Sequence, residues 1–485
     1  MQNKTANILL KKGCSINMRK NLNVVFIRIN SVADEIIPPL HFGYLAASLP
    51  RSCNISLIDM LRDNMDEENL LKEVTGKKFD LICLSAYSKD IVPIKNLSGK
   101  LKEHSPESII VLGGVQSSLM PEATFEFVEP GVDFCFTGDG EHSLAKFVAN
   151  TECRNFSHDI LKDIPGLVFR SDGKIVKNPA ELIVDLDSIP FPRWDLMPPT
   201  SYPKSPHGAF FKQFPYAAMY ATRGCPFPCT FCAASKVSGK SMRHRSLENI
   251  MEEIKLLRNN YGVKEIHFED DNFSLKKKLL VEFCETLLEE DLNMTWCFPN
   301  GLRLDMLDLS DLRLMRRAGC YGVNVGVESG SDSILKRIRK GITTAKMRES
   351  ISKVKKAGID IGGFFIIGFP GETKEDIIQT IKYSKTLELD RIGVSYFQPY
   401  PGTKEYDDLV KCGKFSYDMN LMKLSQHTIN YINDNLTKRQ LYWLRRRAFI
   451  AFYFRWKIVV KLLKEVRDIE HMTFIIKRAI RWLSG

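Results

Sequence analysis

Three cysteines lie in the run Thr222-Arg-Gly-Cys225-Pro-Phe-Pro-Cys229-Thr-Phe-Cys232, at a C-x3-C-x2-C spacing just after an apolar stretch. Gly224, Pro226 and Pro228 exclude a helix, so the thiols project from a loop able to curl round an ion or a cluster. Structural zinc asks for four ligands, and no fourth Cys or His lies within a short reach. An iron–sulfur cluster held by three thiolates keeps one iron open, and an open iron binds a small molecule directly. The plainer alternative is three unrelated buried thiols. In a chain with 12 cysteines, this spacing beside a glycine and two prolines is a rare coincidence.

Carboxylates form the second candidate group. Ile266-His-Phe-Glu-Asp270-Asp271-Asn-Phe273 ends one strand-like run with acids, and Asn324-Val-Gly-Val-Glu328-Ser329-Gly330 ends another with a lone Glu before a glycine turn. An acid so placed pairs with an ammonium through charge-assisted hydrogen bonds. Alternatively, Glu328 complements a helix N-terminus, and Asp270 and Asp271 belong to ordinary strand-to-helix turns.

The elements that must position these groups alternate along the chain. Strand-like runs at 23–29, 55–59, 79–85, 109–112 and 132–136 are separated by helix-length segments. Continuous apolar strands spaced by helices predict a parallel sheet covered on both faces, here an α/β, Rossmann-like doubly wound domain over 20–152. Ligands of such sheets sit beyond the carboxyl ends of the strands, which here carry Ser85, Gly113-Gly114 and Gly138-Asp-Gly140-Glu141. Glycines that merely end strands are the alternative. A connector over 153–210 follows, with a hairpin and then Pro190, Pro192, Pro198, Pro199, Pro203 and Pro206 close together. Further strand-like runs at 216–221, 265–269, 294–298, 322–327, 360–367 and 391–397 predict a partial (βα)6 barrel over 211–435 that carries the cysteines on its first strand-loop. The last part, 436–485, reads as a helical C-terminal segment.

A length of 485 residues implies two or three domains, and 44% hydrophobic with 26% charged residues is the balance of folded cores. The net charge of +11 is concentrated in the tail, where residues from Lys438 onward include 13 basic and 3 acidic side chains. No apolar run approaches the ~18 residues of a membrane span, and no leader-like segment develops around Ile8-Leu9-Leu10. A cytoplasmic, reducing location is therefore expected, with the cysteines as thiols or metal ligands. For the tail, cations interleaved with aromatics fit peripheral contact with an anionic membrane, binding to RNA, or a helix that packs its apolar stripe on the barrel and turns its cations to water. No nucleic-acid partner is expected.

The motif C-x3-C-x-aromatic-C, with Phe231 as the aromatic, resembles the radical S-adenosylmethionine (SAM) superfamily. The resemblance implies a 4Fe-4S cluster on Cys225, Cys229 and Cys232, SAM chelated to the fourth iron, and one-electron cleavage to a 5′-deoxyadenosyl radical. It further implies that Asp270 or Asp271 meets the SAM ammonium and that Glu328, followed by Ser329, reaches its ribose or amino acid moiety. In Gly363-Phe-Phe-Ile-Ile-Gly368-Phe-Pro-Gly371 the glycines would let adenine approach the backbone.

A doubly wound domain joined by Ser188-Ile-Pro-Phe-Pro-Arg-Trp-Asp-Leu-Met-Pro198 to such a barrel resembles the cobalamin-binding radical SAM class. Ser85, Gly113, Gly114, Gly138, Gly140 and Glu141 would then face the corrin and its nucleotide tail. The chain departs from many free-standing cobalamin modules, which carry an Asp-x-His-x-x-Gly loop. Asp59 is followed by Met60 and Leu61, and Gln116 stands where many relatives have His. Cobalt is therefore expected to lack a protein histidine below it.

The implied activity is C-methylation of an unactivated carbon on a small-molecule or lipid-like metabolite. A second SAM would remethylate cobalamin, and a flavodoxin or ferredoxin would supply electrons. Cyclisation or oxidation with the same cofactors is the first alternative. A methylthiotransferase would need a second cysteine trio, whereas Cys14, Cys53, Cys83, Cys135 and Cys153 are scattered. A non-catalytic iron–sulfur protein is the remaining alternative.

Overall fold

The structure, a computed structural model, describes residues 21–30, 36–152, 156–204, 211–419 and 424–466, together with 469, 472, 473 and 476. Cys14, Cys153, Pro206 and most of the second basic stretch at 473–483 lie outside the described residues. Two compact units are present, the first built mainly from Pro39–Met197 and the second from Pro198–Asp418 with the C-terminal helices.

In the first unit, strands β1 (Asn23–Arg28), β2 (Asn54–Asp59), β3 (Leu81–Ser85), β4 (Ile109–Gly113) and β5 (Phe134–Phe136) run parallel in the order β2-β1-β3-β4-β5. Residues Val24 to Ile27 are completely buried, as expected of a strand covered on both faces. Helices such as Leu40–Ser48, Ile91–His104 and Glu141–Glu152 return the chain between strands. The strand order reverses beside β1 and β3, which makes the doubly wound pattern. The hairpin expected in the connector, β6 (Leu167–Ser171) and β7 (Lys174–Lys177), extends this sheet instead, pairing antiparallel with β5 through Cys135 and Val168.

The second unit holds a six-stranded sheet in the order β15-β14-β13-β12-β11-β8, parallel throughout. Its strands are β8 (Tyr216–Met219), β11 (Glu265–Phe268), β12 (Thr295–Phe298), β13 (Cys320–Glu328), β14 (Asp360–Ile367) and β15 (Arg391–Tyr396). A short antiparallel pair, β9 (Thr222–Arg223) and β10 (Arg243–His244), stands after β8. Each βα unit places a loop at the carboxyl ends of the strands, and the six form the incomplete barrel anticipated from the sequence. At the other end, Glu265 is buried and accepts hydrogen bonds from the Lys212 and Gln213 N–H groups, Thr295 and Tyr321 at 2.7 to 2.8 Å. That network fixes where the chain enters the barrel.

The first C-terminal helix, Lys438–Tyr453, starts from a Thr437–Gln440 capping box and buries Leu441, Leu444, Ala448, Phe449 and Phe452. Arg445 is 2% exposed; its Nε donates to the Val394 carbonyl at 2.9 Å. Tyr453 Oη donates to the Ile392 carbonyl at 2.8 Å and accepts from the Ile392 N–H at 3.1 Å. The helix is thus bonded directly to the backbone of β15.

Candidate functional site

The cysteine loop is held by the strands beneath it. Asp270, at the end of β11, is 1% exposed and accepts from the Ala221 N–H at 3.2 Å, from Thr222 Oγ1 at 2.6 Å, and from the Thr222 N–H. Burial pushes its carboxyl up to about 7, against the pull of these donors. Both Asp270 oxygens are thereby engaged with the strand that leads into the loop. Asp271, the next residue, is exposed; partial desolvation raises its carboxyl, against the pull of Ser238 and the Gly224 N–H, which bracket the loop. Within the loop, the Cys225 N–H donates to the Gly239 carbonyl at 3.0 Å, and β10 closes it as a hairpin. Thr230 Oγ1 donates to Glu405 at 2.8 Å, and the Thr230 N–H to the Ile338 carbonyl at 3.0 Å. Asp270 therefore anchors the loop that presents the sulfurs, and Asp271 stays exposed beside it.

Cys225, Cys229 and Cys232 are unpaired thiols of intermediate exposure. Desolvation raises all three, Cys232 to about 12, and their proximity to one another adds to the rise for Cys229 and Cys232. Lys340 and Arg303 act in the opposite direction on Cys225 and Cys229. Arg303 stacks over Phe227 of the loop at 4.1 Å and donates to the Lys340 carbonyl at 2.6 Å, which ties the two cations together. Among the described residues no three cysteine, histidine or carboxylate groups form a ready metal-ligating set. The donor set nonetheless fits a thiolate-ligated cluster: three soft sulfurs on one loop, backed by two cations that offset thiolate charge.

Glu328, the last residue of β13, has a left-handed backbone (φ +62°) and is 6% exposed. Its Oε1 lies 2.7 Å from Lys340 Nζ. A Cβ on Gly326 would stand 2.3 Å from that oxygen, so glycine is required for the pair to close over the strand. For Lys340, burial opposes the charge, but Glu328 and Cys229 outweigh it and leave the ammonium raised. Ser329 is buried and its Oγ is 3.1 Å from Thr380 Oγ1. Phe231 meets Phe369 edge-on at 5.5 Å in an apolar cluster with Ile334, Leu335 and Phe397. Gly368 gives its N–H to Glu372 Oε2 at 2.6 Å, and Leu441 of the C-terminal helix lies over its α-carbon. Glu372 is fully buried, raised to about 8 by desolvation, and its Oε1 has no hydrogen-bond partner.

In the first unit, Ser85 and Gly113 are direct partners across β3 and β4. Gly114 turns at φ +97°, where a Cβ would come within 2.6 Å of Ser85 Oγ. The Gly138 N–H donates to Ser118 Oγ at 3.1 Å, and Glu141 is buried at the start of its helix. These residues gather at the carboxyl ends of β3, β4 and β5, and the side of Gly113 where a side chain would stand is open. That open backbone fits the approach of a large flat group. His41 and His142 are exposed, and Gln116 is fully buried with its Oε1 lacking a partner.

Residues 219–384 match the Radical SAM superfamily model and residues 28–148 the B12 binding domain model. An uncharacterized methyltransferase of Pyrococcus horikoshii is 33% identical over 462 residues, covering 94% of this chain and 95% of that protein. The anaerobic magnesium-protoporphyrin IX monomethyl ester cyclase of Rubrivivax gelatinosus is 26% identical over 449 residues, covering 89% and 79%. The solved structure of the cobalamin-dependent S-adenosylmethionine radical enzyme OxsB superposes with a TM-score of 0.73 at 18% identity, covering 95% of this chain and 71% of OxsB. A barrel with a three-cysteine loop and a doubly wound partner define a radical enzyme of composite type. The chain belongs to the cobalamin-dependent radical SAM enzymes. Its cofactors are a 4Fe-4S cluster, SAM and cobalamin.

Lys340, Arg303, Thr222 and Glu372 are absent from the sequence-level site. Lys340 and Arg303 sit in loops with no motif around them, and only folding brings them beside the sulfurs. Glu372 directly follows Gly371 at the end of the glycine-bearing run, and an acid beside a glycine turn is its signal in the sequence.

Proposed function

We propose that this enzyme transfers a methyl group to an unactivated carbon of a small-molecule or lipid-like substrate, with Cys225, Cys229 and Cys232 as the cluster ligands. When bound, the cofactors supply a carbon-centred radical and a transferable methyl group, the chemistry that no side chain provides. The protein's part is positioning. Asp270 sets the cysteine loop on its strands, and Thr230 with Glu405 fixes its far side. Lys340 and Arg303 offset the charge of deprotonated sulfurs, which lowers the price of gathering three thiolates. Glu328 orients Lys340, and Ser329 and Gly368 line the same end of the barrel. Ser85, Gly113, Gly114, Gly138, Gly140 and Glu141 form the cobalamin-facing edge of the first unit. Electrons come from a small reductant protein of the flavodoxin or ferredoxin kind.

The observation that carries this reading is the three-sulfur loop backed by two cations, in a chain whose 33%-identical, near full-length relative bears a methyltransferase name. A second reading, cyclisation or oxidation without methyl transfer, rests on the cyclase of Rubrivivax gelatinosus at 26% identity. Anaerobic turnover of metabolite extracts with methyl-deuterated SAM separates the two. Label appearing in a product supports methyl transfer. Release of 5′-deoxyadenosine with unlabelled products that have lost hydrogen assigns the chain to the second reading.

A further inference from the structure

The two C-terminal helices have a second face that the barrel does not use. Trp443, Arg447, Ile450 and Phe454 recur at helical spacing on the side opposite the buried Leu444, Ala448 and Phe452. Trp443 is 53% exposed, Ile450 45% and Phe454 79%. Immediately beyond, the helix Trp456–Glu465 leaves Trp456 77% and Leu463 67% exposed, with Lys457 and Lys464 exposed beside them. Large apolar side chains left exposed along two successive helices call for a covering partner.

Charge identifies that partner. From Lys438 to Lys464 the chain has nine basic residues and no acidic one. Some of these cations are occupied: Arg445 is buried on β15, Arg446 donates to Tyr442 Oη, Arg455 to the Lys385 carbonyl, and Lys461 pairs with Asp360 and Asp390. Arg447, Lys457 and Lys464 form no ion pair among the described residues. A second copy of the chain seated on this face would bring like charges together, which opposes self-association. RNA would explain the cations and the tryptophans, but not the exposed Ile450 and Leu463.

We propose that this face, Trp443, Arg447, Ile450, Phe454, Trp456, Lys457, Leu463 and Lys464, docks peripherally on a bilayer surface rich in anionic lipid. Tryptophan, phenylalanine and aliphatic side chains enter the headgroup boundary, and the cations meet lipid phosphates around them. Contact is peripheral, since among the described residues no helix is long and apolar enough to cross a membrane. Such docking does not depend on methyl transfer.

Vesicle flotation of the full-length protein tests it. Wild type should float with vesicles of phosphatidylcholine mixed with phosphatidylglycerol, not with phosphatidylcholine alone, and should release at high salt. The R447Q/K457Q/K464Q variant should bind on the order of 100-fold more weakly. F454S/W456S should also lose flotation, and tryptophan emission should shift to the blue on binding in wild type only. Because every substituted side chain is exposed, circular dichroism and thermal unfolding should match wild type. Wild type that stays at the bottom with anionic vesicles overturns the proposal. So does flotation unchanged in both variants, or a dimer that F454S/W456S converts to monomer without any vesicle effect.

Discussion

Lys340 Nζ and Glu328 Oε1 form a 2.7 Å ion pair at the carboxyl end of β13, with both side chains nearly excluded from water. Truncating the lysine leaves a carboxylate buried without its partner, which costs about 3 kcal/mol or more. Lys340→Met should therefore lower the thermal unfolding transition by several degrees. Glu328→Gln combined with Lys340→Met should recover much of the loss, because no lone charge remains. Equal destabilisation in the single and double variants would show that the pair acts independently of each other's charge.

Cys225, Cys229 and Cys232, the proposed cluster ligands, carry raised thiols, so in metal-free protein they are slow nucleophiles. With Cys232 near 12, only about one molecule in ten thousand is a thiolate at this position at about pH 8. Alkylation by iodoacetamide, followed by mass spectrometry, should find Cys232 modified more slowly than Cys225 or Cys229 and accelerating with pH. Substituting Lys340 by Met should slow Cys229 further, since the ammonium that favours its thiolate is gone.

Glu372 gives a pH signature. Its folded value, raised to about 8, lies above the ordinary 4.5 of an unfolded Glu. The folded state thus binds the extra proton, and the associated stability is full below about pH 4.5 and lost as pH rises through about 8. Between about pH 6 and pH 8 the wild type should lose about 2 kcal/mol relative to Glu372→Gln, which has no proton to lose. Parallel thermal unfolding curves for the two proteins across that interval would contradict the assignment.

Arg445 and Arg447 make an internal control on the first C-terminal helix. Arg445 is buried, bonded to the Val394 carbonyl and 5.1 Å from the Tyr396 ring. Its replacement by Leu should cost about 2–3 kcal/mol. Arg447, exposed two positions on, should tolerate the same change within about 0.5 kcal/mol. Denaturant melts followed by circular dichroism report both.

The strands of both sheets were legible from the sequence because parallel strands covered on two faces are uninterrupted apolar runs, as in Val24 to Ile27 and Tyr216 to Met219. The cysteine loop was legible because its glycine and prolines make the spacing distinctive. What the sequence could not give is direction. Asp270 stands where a ligand acid was anticipated, yet its oxygens bond the Thr222 backbone and hydroxyl, a contact across 48 residues. Lys340 meets Glu328 across 12 residues, at the point where the β13–β14 register shifts between Gly326 and Glu328. The hairpin at 167–177 reads as a local turn, and its pairing with β5 depends on a partner distant in sequence.

The hold of Tyr453 and Arg445 on β15 has a consequence for how the chain can be cut. An outermost strand with bare amide and carbonyl groups is a template on which other chains add strands, and here a phenol and a guanidinium plug that seam. Shortening the protein before Thr437 would do more than delete a charged surface, since it would unseal the barrel's flank and invite polymerisation.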